Sequence, residues 1–199
     1  MKRKAIKGKR GQTPSQTVGP FFAYALTPEQ YGYAYRSSHG PVLWNENLAG
    51  ERIRITGRVF DGAGKPIEDA MIEIWQADAA GRYADARRSD GFRGLGRCGT
   101  GTDPQRRFWF DTVRPGALEP GAAPFINVIV LMRGMLVHAY TRLYFPDAAA
   151  ANAVDPVLAT VPAARRRTLV AIRDRRAGGA SYRFDIRMQG PRETVFFDV

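Results

Sequence analysis

Cysteine and histidine are almost missing from this sequence of 199 residues. Cys98 is the only cysteine, so no disulfide can form within the chain, and a reducing cytoplasm fits this composition. The two histidines, His39 and His138, lie far apart, and neither belongs to an H-x-H, H-x-x-x-H or H-x-x-E pattern. The sequence therefore lacks the imidazole spacings that are typical of metal sites on a single strand or helix.

Long apolar runs are also lacking. No stretch approaches the roughly eighteen consecutive apolar residues that a membrane-spanning helix needs. No apolar segment followed by a small-residue cleavage site occurs near the start, so no secretory signal is visible. These absences favour a cytoplasmic protein that does not insert into a membrane.

Acidic residues are scarce, since 19 Asp and Glu face 30 Lys and Arg, which gives a formal net charge of +11. Many of the positive charges lie near the start of the chain: Lys2, Arg3, Lys4, Lys7, Lys9 and Arg10. We expect residues 1–12 to be a disordered basic tail because they hold almost no apolar side chain. No nucleic-acid-binding motif accompanies the tail, so we predict no nucleic-acid partner. An acidic partner or an anionic substrate suits the charge better.

The stretch from Ile53 to Tyr83 predicts two strands joined by a turn. Apolar or small residues at 53, 55, 57 and 59 alternate with polar ones, which is the period-2 pattern of a half-buried strand. Residues 61–66 read Asp-Gly-Ala-Gly-Lys-Pro, which is a turn sequence. Residues 70–75 predict the second strand, and this pattern by itself favours a buried Trp75 followed by a strand-end amide, Gln76.

The remaining sequence predicts several short strands and one helix of useful length. The predicted strands are 107–113, 126–132, 135–145, 182–188 and 194–198, and the predicted helices are a short one that follows Thr27 and a longer one at 160–176. Only Arg133 and Gly134 separate two of the strands, which predicts a tight hairpin. Many strands without regular strand–helix alternation favour a mainly β protein, a sandwich rather than a Rossmann fold.

Residues 84–106 are rich in Gly and Arg and predict a long loop. This loop contains a formal G-x-G-x-x-G from Gly94 to Gly99. A dinucleotide site is excluded there, because no strand precedes the pattern and no helix can open behind it. We expect residues 13–199 to form a single domain whose first part, residues 13–50, is an N-terminal arm.

The stretch from Gly57 to Tyr83 resembles the intradiol ring-cleavage dioxygenases, non-haem ferric enzymes that open catechol rings. The matching pattern is G-x-V-x-D-x-x-G-x-P, then A-x-x-E-I-W-Q-A, then G-R-Y, and the resemblance extends roughly over residues 13–199. The fold that it implies is a β-sandwich of the intradiol dioxygenase type with an extended N-terminal arm and a few short helices.

The resemblance implies a ferric site of two tyrosinates and two neutral imidazoles, of which this sequence keeps one position. Tyr83 matches the tyrosine of G-R-Y. Leu118 stands where the second tyrosine follows T-V-R-P-G-x, and Ile126 and Val128 stand where R-P-x-H-I-H has its histidines. We therefore expect this chain to bind no iron, and we expect apolar side chains to fill the vestigial pocket.

The ends of the chain, TPSQTVGPFF and YRFDIRMQG, are closest to the iron-free subunit of two-subunit members of the family. The resemblance implies a partner subunit that binds Fe(III), a higher hetero-oligomer, and protocatechuate and O2 as substrates. It also implies that Thr17, Gly19 and Pro20 of the arm, with Arg133 of the hairpin, line the partner's substrate cavity. A guanidinium there suits the carboxylate of protocatechuate. No catalytic residue is expected in this chain alone.

Two other functions stay open at this point. The chain could be a scaffold, a pseudo-dioxygenase that stabilises a partner without touching substrate, and such a scaffold would tolerate changes at Thr17 and Arg133. The chain could also be a stand-alone iron enzyme with a site built from Tyr83, His138, Tyr140 and Tyr144, the last three of which are expected on one strand face.

Overall fold

The computed structural model describes residue 19 and residues 22–85, 90–174 and 180–199. The predicted basic tail, residues 1–12, lies outside the described residues, as do Thr17 and Pro20 of the predicted arm. Of the three arm residues assigned to a partner's cavity, only Gly19 is therefore described.

Within these ranges nine strands form two sheets. The strands are β1 Arg52–Phe60, β2 Met71–Trp75, β3 Leu95–Gly99, β4 Arg107–Val113, β5 Phe125–Leu131, β6 Ala139–Tyr144, β7 Ile172–Asp174, β8 Ala180–Arg183 and β9 Ile186–Arg187. The first sheet has the order β4-β1-β8-β7, and β9 pairs with the far end of β1; the second sheet has the order β3-β2-β5-β6. The pairs β1–β8 and β1–β9 are parallel, and the other strand pairs are antiparallel.

The main core lies between the two sheets. Ile53, Ile55 and Val59 of β1 are buried in one cluster with Ile126 and Val128 of β5, which belongs to the other sheet. Burying each such aliphatic side chain stabilises the fold by about 1.5–3 kcal/mol. The alternation of buried and exposed residues along β1 confirms the predicted strand, and the mainly β, sandwich-like architecture is confirmed with it.

The close packing around Gly57 explains why the strand has a glycine at one of its inward positions. A Cβ at this position would lie 1.9 Å from the carbonyl oxygen of Phe184 and 2.5 Å from Cζ of Phe108. The backbone of the C-terminal segment therefore approaches β1 more closely than any side chain permits.

Among the residues that the structure describes, four short helices flank the sheets: α1 Phe22–Leu26, α2 Ala149–Val154, α3 Pro156–Thr160 and α4 Ala163–Arg166. Short 3₁₀ turns occur at Pro28–Tyr31, Pro146–Ala148 and Arg167–Leu169. The turn that follows Thr27 confirms the short helix predicted there, although the Thr27 hydroxyl donates to the carbonyl of Ala23, 2.8 Å away, and caps nothing. None of the helices in the described part of the chain has the length and apolar character that a membrane crossing requires.

The buried carboxylate of Asp155 organises the helical side of the fold. It accepts hydrogen bonds from the backbone amides of Val157 and Leu158, 3.0 and 2.8 Å away, as the N-cap of α3. It also accepts from the backbone amide of Ala123 at 2.9 Å and from the hydroxyl of Tyr144 at 3.2 Å. One side chain therefore ties α3 to β6 and to the segment before β5.

The helix predicted at 160–176 is wrong. The segment contains α4, a 3₁₀ turn and then the strand β7. Leu169 and Ile172 are three residues apart, which matched a helical period, but Leu169 is buried and Ile172 is 57% exposed. The backbone amide of Ala171 donates to the carbonyl of Tyr144 at 2.9 Å, and Ile172 pairs with Arg183, so strand contacts replace the helical ones.

The tight two-residue hairpin is also wrong, although β5 and β6 do pair. Strand pairing ends at Val130 and Ala139, so residues 135–138 belong to a longer connection and not to the strand predicted at 135–145. A turn does form at Arg133 and Gly134, where the amide of residue 135 donates to the carbonyl of residue 132 at 3.4 Å. Gly134 has a φ of +86°, which a glycine adopts without strain.

Three further boundaries differ from the sequence predictions. The loop predicted at 84–106 contains β3, and the extended arm predicted at 13–50 contains α1, which begins at Phe22. The closing strand predicted at 194–198 is reduced to a single bridge between Phe197 and Tyr140. For β3 and for the bridge at Phe197, the pairing partner, which a single sequence does not show, decides the local structure.

Candidate functional site

Tyr83 lies on the outer face of the second sheet, against β2. Its ring stacks on the indole of Trp75, with 4.3 Å between the ring centroids and an interplanar angle of 26°. Trp75 is 47% exposed, so the expectation of a buried aromatic is wrong: the inward positions of β2 belong to Ile72 and Ile74. An aromatic pair is thus presented on the surface of the described chain.

Gln76 and the turn that follows hold Tyr83 in place. The fully buried amide nitrogen of Gln76 donates to the carbonyls of Ala77 and Val113 at 3.0 and 2.9 Å, and its oxygen accepts from the Thr112 hydroxyl at 2.9 Å. Gly81 has a φ of +75°, and a Cβ there would lie 1.9 Å from the carbonyl oxygen of residue 117. The G-R-Y segment is therefore fixed against the segment that contains Leu118.

A chain of polar contacts extends from Tyr83 across the sheet. The amide nitrogen of Asn127 donates to the hydroxyl of Tyr83 at 3.0 Å, and the hydroxyl of Tyr140 donates to the amide oxygen of Asn127. Nε of Arg142 donates to the hydroxyl of Tyr140 at 3.4 Å. The guanidinium of Arg142 also lies 4.0 Å from the ring centroid of Phe125. We call Tyr83, Asn127, Tyr140 and Arg142 the Tyr83 cluster.

The structure does not bring the other sequence-assigned ligand positions to this cluster. Ile126 and Val128 are buried in the core between the sheets, on the opposite face of β5 from Asn127. Leu118 is 39% exposed, so it does not fill a buried pocket as expected. The residue of β5 that reaches Tyr83 is Asn127. Because side chains alternate along a strand, a shift of one residue exchanges the core-facing side of β5 with the side that faces Tyr83.

Asn127 is a member of the Tyr83 cluster that the sequence did not assign to a site. The sequence does mark this residue, because Asn127 is the only polar residue in the run from Phe125 to Leu131. A polar side chain inside a buried apolar strand needs a partner, which predicts a polar cluster on the face that it points to.

The alternative set of Tyr83, His138, Tyr140 and Tyr144 is not assembled either. Tyr83 and Tyr140 meet through Asn127, but His138 precedes β6 and lies in the exposed connection. Tyr144 is fully buried and donates to Asp155, and burial raises the pKa of its hydroxyl to about 12. The other histidine, His39, lies elsewhere beside Ser38, whose Oγ is 2.8 Å from Nδ1 of the imidazole.

The Tyr83 cluster does not fit a ferric ion. Burial raises the pKa of Tyr83 against the opposing effect of its hydrogen bond with Asn127, so its hydroxyl stays protonated near neutral pH. The donor atoms are two phenols and one amide, and the guanidinium of Arg142 places a positive charge next to them. Among the described residues no group of three or more His, Cys, Asp or Glu side chains could hold a metal ion.

A second candidate region surrounds Arg133. Nε of Arg133 donates to the carboxylate of Asp69, and the Arg133 side chain is 60% exposed. A cleft of about 270 Å³ is lined by both of these residues and by Phe22 and Tyr24 at the start of the described arm. The exposed Gly19 lies just before this helix, and its carbonyl accepts from the amide of Phe22 at 3.3 Å. The structure therefore brings the hairpin arginine and the base of the arm to one end of the molecule.

Exposed tyrosines extend from this cleft, which we call the Arg133 cleft. The ring centroids of Tyr24 and Tyr31 are 4.5 Å apart, those of Tyr24 and Tyr33 are 6.2 Å apart, and those of Tyr33 and Tyr35 are 5.8 Å apart. Tyr33 and Tyr35 are exposed. Aromatic rings and an arginine at one surface are the composition that protein interfaces favour.

Comparison with known proteins shows that the chain is similar to dioxygenases. The family model described as "Dioxygenase" matches residues 26–125. The chain is 56% identical to a protocatechuate 3,4-dioxygenase alpha chain of Burkholderia cepacia over 94% of its own length and 98% of that protein's length. It is 42% identical to the Pseudomonas putida protein of the same name, with 94% and 96% covered, and 36% identical to a Burkholderia cepacia protocatechuate 3,4-dioxygenase beta chain, with 73% and 68% covered.

A solved structure shows the same fold. An intradiol ring-cleavage dioxygenase from Tetranychus urticae superposes with a TM-score of 0.60 at 18% identity, with 78% of this chain and 89% of that chain covered.

Proposed function

This chain belongs to the family of intradiol ring-cleaving dioxygenases, and we propose that it is the alpha subunit of a protocatechuate 3,4-dioxygenase. The enzyme would use O2 to cleave protocatechuate between its two hydroxylated carbons, giving 3-carboxy-cis,cis-muconate in the β-ketoadipate pathway of aromatic catabolism in the cytoplasm. The observation that carries the proposal is the 56% identity to an alpha chain over 94% of this chain. The scaffold alternative is not favoured, because the relatives that match almost the whole chain are named as chains of the enzyme itself.

We propose that Fe(III) is bound by a partner beta subunit. The Tyr83 cluster supports this, because it contains no imidazole and the guanidinium of Arg142 lies next to one of its phenol oxygens. An alpha chain and a beta chain occur in the same organism among the relatives, which supports a hetero-oligomer of the two kinds of chain. In this proposal the ferric ion supplies the redox chemistry in the partner, and the residues of this chain bind and orient the substrate.

We propose that Thr17, Gly19 and Pro20 line the partner's substrate cavity and that Arg133 binds the carboxylate of protocatechuate. The support is the position of Arg133, which is exposed and shares a cleft with the base of the arm. Nε of Arg133 donates to Asp69, and the side chain is still 60% exposed. A planar guanidinium can then bind a substrate carboxylate with two parallel hydrogen bonds.

The rest of the proposal concerns the organisation of the chain. Residues 13–199, including the arm at 13–50, form one domain, and residues 1–12 are a tail outside it. Neither a nucleic acid nor a membrane takes part in the activity. The exposed tyrosines beside the Arg133 cleft belong to the contact with the partner subunit.

The deciding experiment is to express this chain alone and together with an iron-binding beta subunit. Each preparation is then assayed for iron, for the visible absorption of tyrosinate-bound Fe(III), and for O2-dependent loss of protocatechuate. We expect all three signals in the co-purified complex and none in the chain alone. Near-stoichiometric Fe(III) or turnover in the chain alone would contradict the proposal and restore the stand-alone enzyme.

A further inference from the structure

A second concave surface lies at the C-terminal side of the fold and shares no residue with the Arg133 cleft. It has a volume of about 710 Å³ and runs between the segment that leads into β7 and the segment that contains β8 and β9. Four arginines line it, Arg167, Arg183, Arg187 and Arg192, together with the apolar side chains of Ile172 and Phe184. We call these six residues the arginine groove.

The positive charge of the arginine groove is largely uncompensated. The only acidic residue in its lining is Asp185, whose carboxylate lies 3.5 Å from Nε of Arg183 and also accepts from the amide of Arg58 at 3.2 Å. The guanidinium of Arg187 lies 4.8 Å from the ring centroid of Phe60, a contact that leaves its charge in place. Within the ranges that the structure describes, Arg167 and Arg192 form no ion pair.

The apolar part of the groove favours an acidic peptide over a nucleic acid as its anionic ligand. Ile172 is 57% exposed on β7, the edge strand of the first sheet, and Phe184 underlies the groove. A nucleic-acid backbone carries charge but no aliphatic group that would cover Ile172. An acidic peptide carries carboxylates for the guanidinium groups and apolar side chains for the floor, and the groove is large enough for several residues.

We propose that the arginine groove binds an extended acidic segment of a partner protein, with at least one apolar side chain of that segment placed against Ile172. The occupant is not the N-terminal tail of this chain, because that tail is itself strongly basic. The excess of positive charge in the groove would attract the segment from a distance, and the apolar floor would distinguish it from other polyanions.

The test uses the full chain and a fluorescein-labelled ten-residue peptide of alternating Glu and Leu. Binding is measured by fluorescence anisotropy at about 0.15 M salt, where long-range attraction between exposed charges is largely screened. The variant is the double charge reversal R167E/R192E. The matched control is R36E/K65E, which changes the net charge equally at two exposed positions outside the groove. A Glu/Gly peptide and a ten-nucleotide dT strand serve as competing ligands.

We expect the R167E/R192E chain to bind the Glu/Leu peptide at least ten-fold more weakly, with the R36E/K65E chain within about two-fold of the unmodified chain. We also expect the Glu/Gly peptide and the dT strand to bind at least ten-fold more weakly than the Glu/Leu peptide. Equal losses in the two double variants would show general attraction to a basic protein and overturn the proposal. Equal binding of the dT strand, or no binding of the Glu/Leu peptide to the unmodified chain, would overturn it as well.

Discussion

Replacing Arg133 by alanine should impair turnover of protocatechuate without disturbing assembly. The side chain is 60% exposed and, within the described part of the chain, bonds only to Asp69, so its removal leaves no core cavity. The complex of the variant with the beta subunit should therefore keep its size and its iron absorption. What is lost is one charge-assisted contact to the substrate, which corresponds to a fall in kcat/KM of roughly ten- to a hundred-fold.

Two comparisons test whether Arg133 acts by binding the substrate carboxylate. One uses a substrate without a carboxylate, and the other uses a variant of Asp69. Plain catechol has no carboxylate, so its kcat/KM should fall less than that of protocatechuate in the R133A complex. The variant D69N keeps the charge of Arg133 and removes the carboxylate that orients it, so we expect a smaller loss that appears mainly in KM. Arg36, which is exposed and lies outside the Arg133 cleft, provides the control variant R36A.

An unchanged kcat/KM for protocatechuate in the R133A complex would refute the active-site role and return the chain to the scaffold function. Equal losses for protocatechuate and catechol would show that Arg133 acts on the shape of the cavity or on charge that develops in the transition state, and not on the substrate carboxylate.

D155A should lower the free energy of unfolding in urea by about 3 kcal/mol, because the backbone amides of α3 lose their cap and other buried donors lose a partner; a change below about 1 kcal/mol would contradict this. Burial would raise the pKa of Asp147, but hydrogen bonds from Arg114 and Tyr182 lower it overall, so its stabilising effect is present above the ordinary carboxyl pKa of 3.8 and is lost as the pH falls below that value. The stability difference between the unmodified chain and D147N should therefore shrink from pH 6 to about pH 3, and a constant difference would argue against the ionised form. Y83F should leave the iron content of the complex unchanged, because the phenol of Tyr83 bonds to Asn127 and the described residues place no ligand set around it; loss of iron would place the metal in this chain. Deleting residues 1–10 should leave assembly and turnover nearly unchanged at physiological salt, and a large loss of activity would reveal a partner of the tail.

The parts of the fold that the sequence predicted are those in which local pattern and tertiary contacts agree. Along β1 every second residue is buried and the residues between are exposed or half-buried, so its period was visible without a partner strand. The same alternation placed Gly57 at an inward position, and the turn at 61–66 could be predicted from its glycines and proline. The segment at 160–176 failed because Leu169 and Ile172 have helical spacing, whereas the contacts of Ala171 with Tyr144 and of Ile172 with Arg183 are set by distant strands.

Only part of the candidate site could be predicted, because local pattern was informative at Tyr83 but not along β5. Tyr83 could be recognised from G-R-Y, but β5 is apolar on both faces except at Asn127, so its facing could not be read from alternation. The sequence assigned Ile126 and Val128 to the site, and the structure puts Asn127 there. The arginine groove was invisible at that level, because Arg167 and Arg192 are brought together only by the packing of the C-terminal segments.

The parallel pairing of β1 with β8 and β9 has a consequence for folding during synthesis. Ile53 pairs with Ala180 and Val59 pairs with Ile186, so the central strand of the first sheet leaves the ribosome long before its second neighbour exists. During synthesis β1 can pair with β4 as soon as residues 107–113 have emerged, but its other edge stays open until residues 180–187 follow. Contacts of such long sequence separation form slowly, and an open apolar strand edge invites pairing with another nascent chain. A stop codon placed before residue 180 should therefore yield aggregates in the cell instead of a shortened but folded subunit.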